Sequence, residues 1–176
     1  QDPELAADEI DDRADEKDMV GVYLPTGGLN PPLGDKSYNP IYEACERHDL
    51  PLVMHGAAGA SIMKSFPVQW EGFERAMSLH TITHPFQHMV NLVSIVVNGV
   101  PERFDVDLIF QEAGIGWIPF VANRLDKEYY QRRQDASLLT KPPSEYVLND
   151  FNYTTQPLEG LEENPDYVCS TARQMN

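Results

Sequence analysis

Positive charge is scarce in this sequence. Thirteen lysines and arginines stand against 28 aspartates and glutamates, for a formal net charge of -15. A surface of that sign repels polyanions, so no nucleic-acid partner is expected. Only five residues are lysine. Acidity of this degree suits a protein kept hydrated in concentrated salt, and equally an acidic protein with an ordinary solvated surface. Cysteine is scarce too: Cys45 lies inside a helical pattern and Cys169 near the end. The two give neither a disulfide framework nor a zinc-ligand spacing, and a reducing cytoplasm is the expected compartment. Long apolar runs are missing as well. The longest, residues 89–97, is interrupted by Asn91 and Ser94 and falls far short of the ~20 residues that cross a bilayer, so no membrane span is expected. The chain opens on Gln1 without the basic and apolar regions of a signal peptide, and its start reads as the middle of something larger.

What is present suffices for one core, since 41% of the 176 residues are apolar and 10% aromatic. Asp2 is placed to cap a helix whose first turn takes Pro3 and Glu4, with Leu5, Ile10 and Ala14 on its apolar stripe. Residues 19–24 form a nearly continuous apolar run closed by Pro25-Thr26-Gly27-Gly28, as a strand buried on both faces would. A turn-rich loop and a short helix over 39–48 follow, and residues 50–55 repeat the pattern as a strand ending in His55 and Gly56. Residues 65–79 read as an additional helix. A further helix is expected to start at Thr83 or His84 with Pro85 in its first turn. Phe86, Met89, Val90, Val93 and Val97 should line one face of it, and Gly99 and Pro101 should stop it. A third strand over 106–110 leads to Gln111-Glu112-Ala113-Gly114, a long helix covers 116–134, and a fourth short strand covers 151–155. Strands alternating with helices predict a parallel α/β architecture with right-handed crossovers over residues 1–160, and a polar tail over 161–176, as a short helix or frayed end.

In such folds the ligand site lies where the strands end, because the loops there vary while the sheet fixes them. Those ends carry Thr26, His55, Glu112 and Gln156. The His55 imidazole, standing at the rim, can bind a divalent metal or exchange a proton, or else hydrogen-bond a loop. Glu112 enters a small-residue turn, where its carboxylate either meets a metal or substrate or caps the following helix. His84 and His88 stand at i and i+4, as paired ligands on zinc-binding helices do. Without an intervening glutamate, and with His84 at the cap, this pair alone makes a poor metal site. His84 joins the rim if the preceding loop folds over the barrel mouth. His48 and His80 have no such context. Gly27-Gly28 and Gly114-Ile115-Gly116 match no dinucleotide or phosphate-loop fingerprint and read as tight turns.

The stretches Pro40-Ile41-Tyr42-Glu43-Ala44-Cys45-Glu46-Arg47, Leu52-Val53-Met54-His55-Gly56, Pro101-Glu102-Arg103-Phe104, Phe110-Gln111-Glu112-Ala113-Gly114-Ile115-Gly116-Trp117-Ile118-Pro119-Phe120 and Arg124-Leu125-Asp126 resemble amidohydrolase family 2. That is the group similar to aminocarboxymuconate-semialdehyde decarboxylase. The resemblance runs from about Met19 to Leu158, with Glu-Ala-Gly-x-Gly-Trp-x-Pro its most specific part. It implies a (β/α)8 TIM barrel, of which this chain would be a carboxyl-terminal partial copy of about four parallel strands. It also implies a divalent metal, zinc before manganese, that activates water for hydrolysis or supports decarboxylation of an aromatic or unsaturated acid. His55 matches the family's strand-five histidine. Glu112 stands where many members carry the strand-six histidine. The ligands of strand one and strand eight have no counterpart here.

The metal ligands expected are thus His55, Glu112 and His84, and the catalytic residues His55 and Glu112. The expected activity is that of a metal-dependent hydrolase or carboxy-lyase acting on a small organic acid or cyclic substrate. The competing expectation is a catalytically incomplete half-barrel that forms a homo-oligomer through its open sheet edges, or a module that binds a small molecule.

Overall fold

A computed structural model describes residues 2–56, 75–160 and 164–175. Helix α1 (Pro3–Arg13) begins as expected, with the Asp2 carboxylate accepting from the Glu4 amide at 3.0 Å and the Leu5 amide at 3.4 Å. Its buried residues are Ala7 and Ile10, whereas Leu5 faces solvent. Strand β1 (Val22–Pro25) precedes α2 (Asn39–Arg47), and β2 (Leu52–His55) precedes α3 (Ala76–Val97). A single turn α4 (Val100–Arg103) leads to β3 (Leu108–Gln111) and α5 (Ile118–Gln131). The short α6 (Pro143–Glu145), the two-residue β4 (Asn152–Tyr153) and α7 (Pro165–Ala172) complete the described α-helices and strands.

The four strands form one parallel sheet in the order β1-β2-β3-β4. The expected architecture is therefore present, with each strand starting two residues or so later than its apolar run. Met19 and Val20 precede β1, and Val20 is open to solvent.

Register separates the sheet's two faces. Val22, Leu52 and Leu108 stand in one row and Met54 pairs with Phe110, and these side chains are buried in one core with Tyr42 and Cys45 of α2, Leu92 and Ile95 of α3, and Ile118 and Ala122 of α5. The alternating row Tyr23, Val53, Ile109 and Asn152 points the other way. There Tyr23 is 57% exposed, Val53 and Ile109 are half-buried and Asn152 is exposed. The expectation that the first strand is buried on both faces thus fails at Tyr23. Among the described residues the helices supply one covering layer, and a parallel sheet takes two.

Helix α3 departs most from its expected form. The segment 65–74 lies outside the described residues, and α3 runs unbroken from Ala76 with Pro85 in its interior. An interior proline costs roughly 3 kcal/mol, and α3 carries it within a span of 22 residues. Phe86, Met89, Val90, Val93 and Val97 do share one face, as expected, with Met89 and Val97 packed against the core, but the face that is fully buried is another. The buried residues are Thr83, His84, Gln87, His88, Asn91, Leu92, Ile95 and Val96. Phe86 and Val93 are exposed, and they line an outer groove of about 570 Å³ with Phe120 and Leu125 of α5.

The burial of polar residues on α3 follows from the loop after β1. Asn91 accepts from the Leu33 amide at 3.0 Å and donates to the Thr26 carbonyl at 3.1 Å, and Ser94 Oγ accepts from the Gly34 amide at 3.1 Å. Buried backbone groups need partners, and the polar face of α3 provides them.

Candidate metal centre

His55 ends β2 on the same side of the sheet as Val53. Its Nδ1 lies 2.5 Å from the Gly56 carbonyl and its Nε2 2.5 Å from Glu112 Oε2. Both ring nitrogens therefore face acceptors, and a cation entering here would take the place of the proton between Nε2 and the carboxylate. Thr26 braces the strand end: its amide donates to the His55 carbonyl at 2.9 Å, and its hydroxyl lies 3.0 Å from the same oxygen and 3.2 Å from Gln87 Oε1.

Glu112 follows β3 with a backbone φ of 61°. It does not cap the next helix. The carboxylate facing the amides at the head of α5 is that of Glu159, 3.3 Å from the Ile115 nitrogen and 3.5 Å from that of Gly116. Gly114, at φ 66°, makes room for it, since a Cβ there would stand 2.0 Å from Glu159 Oε1. Gln156 meets this turn through its carbonyl, which accepts from the Gly114 amide at 3.1 Å.

His84 does reach the rim, but by a route other than the one expected. It is the ninth residue of α3, with its ring edge-on to His55 at 6.0 Å between centroids. Gly56 permits this: a Cβ on it would come within 2.1 Å of His84 Cδ2. Burial first, and then the nearby His80, lower the pKa of His84, so the ring is neutral and fit to be a ligand near neutral pH.

The i, i+4 pair that serves the rim is His80 with His84, their rings 4.5 Å apart. Ligand atoms of His80, His84 and Glu112 all lie within 4.8 Å of one another. Two imidazoles and a carboxylate in that space are a donor set that suits zinc or manganese, while His55 adjoins it through Glu112. His80 is absent from the expected ligands because the expected helix starts beyond it, at Thr83 or His84. Had α3 been begun at Ala76, the four-residue spacing would have signalled it.

His88 turns elsewhere. Fully buried beside Phe110 and Trp117, it donates from Nε2 to the Gln111 carbonyl at 2.8 Å, and burial pushes its pKa down to about 4. It belongs to the frame under the site.

A family profile described as Amidohydrolase matches residues 1–170. No curated protein is matched by the chain. Among solved structures, it is similar to 5-carboxyvanillate decarboxylase LigW from Sphingomonas paucimobilis, with TM-score 0.71 and 24% identity over 98% of this chain and 50% of that one. It is also similar to an amidohydrolase from Mycobacterium avium subsp. paratuberculosis, with TM-score 0.72 and 18% identity over 95% of this chain and 43% of that one. A third similar structure is 5-carboxyvanillate decarboxylase from Novosphingobium aromaticivorans complexed with manganese and 4-hydroxy-3-methoxy-5-nitrobenzoic acid. Its TM-score is 0.69 at 20% identity, over 98% of this chain and 49% of that one. At such identities the likeness shows the fold, which is part of a TIM barrel. The chain spans about half the length of these relatives. With four parallel strands and polar groups gathered at their carboxyl ends, the chain belongs to the amidohydrolase family.

Proposed function

We propose that this chain carries one side of a divalent-metal site, of the kind that serves a hydrolase or carboxy-lyase acting on a small organic acid or cyclic substrate. The observation that supports it is the meeting of His80, His84 and Glu112 within 4.8 Å, with His55 against Glu112. His80, His84 and Glu112 would hold the metal, and His55 would join them or hold a proton beside it. A bound metal would polarise a substrate oxygen or lower the pKa of a water. The manganese in the Novosphingobium decarboxylase favours manganese beside zinc as the metal to try first. Two free cysteines are compatible with the reducing cytoplasm as its compartment.

Thermal melts of the chain with zinc or manganese test the reading, since a ligand bound only by the folded state stabilises it. At a hundredfold excess over Kd the gain is about 2.7 kcal/mol, or about 5–10 °C for a chain of this size. His84→Ala should abolish the shift. No shift in the unmodified chain, together with no metal by elemental analysis, would sink the proposal.

A second reading is favoured by the row Tyr23, Val53, Ile109, which the described helices do not cover, and by the edges of β1 and β4, which pair with no further strand among the described residues. A second copy of the chain, set with its β1 beside β4 of the first, would supply four more parallel strands and a cover for that row. Each relative holds about twice this chain's length in one fold. Sedimentation at rising concentration tests it, and a folded species that stays monomeric at high micromolar concentration counts against it.

A further inference from the structure

The Glu112 carboxylate reaches His55 from a backbone at φ 61°. That is the left-handed region, which a residue with a Cβ adopts only at a cost. Strain of this kind persists where the surroundings over-determine it. The surroundings here are specific. Just before Glu112, the Gln111 carbonyl is pinned by the buried, neutral ring of His88. At Glu112 itself the amide donates to Thr154 Oγ1 at 2.9 Å, across 42 positions of chain.

Thr154 follows β4, and its own amide donates to the Phe110 carbonyl at 3.0 Å. The hydroxyl is therefore held by the sheet at the point where β3 gives way to the strained residue. Ladder pairing between β3 and β4 runs through Ile109 with Asn152 and Phe110 with Tyr153, and then ends. Past that point the contact of Thr154 with Glu112 is made by a side chain instead of the backbone.

We propose that Thr154 is a positioning residue, whose hydroxyl fixes the Glu112 backbone in its left-handed conformation and so aims the carboxylate at the imidazoles. The purpose of that aim rests on the metal-site reading above, but the aim itself can be measured in metal-free protein. The short contact of His55 Nε2 with Glu112 predicts a shared proton, read by NMR of ring-labelled histidine as a downfield ring N–H.

Four variants of the full chain decide the matter. Thr154→Ser, which keeps the hydroxyl, should retain the downfield signal and the manganese affinity measured by calorimetry. Thr154→Val should lose the signal and weaken manganese binding by about tenfold or more, the usual effect of removing a partner behind a ligand. Thr154→Ala repeats the loss of the hydroxyl should the valine variant misfold. Glu112→Gly, free of the strain, should melt about 2–4 °C higher while binding no manganese. A signal that survives in Thr154→Val or Thr154→Ala, or is absent from the unmodified chain, overturns the proposal. A signal present and dependent on Thr154 in a chain that binds no manganese upholds the positioning role and removes the metal-site reading alone.

Discussion

The two faces of the sheet differ more than their sequences do. On the covered side Leu52 and Met54 have no exposed surface, and Leu108 and Phe110 almost none. On the other side Val53 and Ile109, no less apolar, are half-buried, and Tyr23 is largely open. The strands are built for two layers of neighbours, and the described residues supply one. Composition therefore records the environment that a strand is suited to, while exposure records the one it has.

Substitutions can test how deep this difference runs. Phe110→Ala, on the covered face, should lose about 3–5 kcal/mol of unfolding free energy in a urea titration. Next in size is a pH effect on the same side. The pKa of His88 is lowered to about 4 from an ordinary value near 6.5. The unfolded chain therefore takes up a proton that the fold refuses, and stability falls as pH drops from 6.5 to 4, by about 3 kcal/mol in all. Below that window the loss is complete. In His88→Gln this portion of the pH slope should vanish, which melts at several pH values would reveal. Gly56→Ala puts a Cβ against the His84 ring and should cost about 1–3 kcal/mol. It should also displace that ring from the rim, as a drop in metal affinity would report. The smallest effect is expected on the open face: Tyr23→Lys should change stability by less than about 0.5 kcal/mol in a monomer. If a second copy covers the row, the same change should shift the equilibrium to monomer, and sedimentation would separate the two cases.

Much of this comparison is legible in the sequence. Continuous apolar runs ending at His55 and before Glu112 mark parallel strands and place both residues at one rim, and they lie 2.5 Å apart there. Strand limits are less legible, because an apolar run continues past the ladder wherever the chain leaves the sheet, as at Val20. Helix α3 starts earlier than expected and buries most deeply a face other than its expected apolar one, for two physical reasons. Proline favours a first turn, so Pro85 suggested a beginning where there is an interior. Apolar periodicity points to the core by default, but the buried face here is set by the unmet amides of Leu33 and Gly34, which no pattern within the helix announces. The loss of His80 from the expected site follows from the first of these differences. The role of Thr154 depends on a contact 42 positions away and is invisible locally.

The clamp that Asn91 and Ser94 place on the loop after β1 bears on the order in which the molecule can assemble. Strand order equals chain order, so a nascent chain could lay down its sheet one strand at a time as it leaves the ribosome. The rim cannot follow that schedule. The loop beside Thr26 finds its partners 58 to 65 positions downstream, and Glu112 arrives later still. Through much of synthesis the early strand end must wait with its amides in water, and the centre forms among the last parts of the fold to be set.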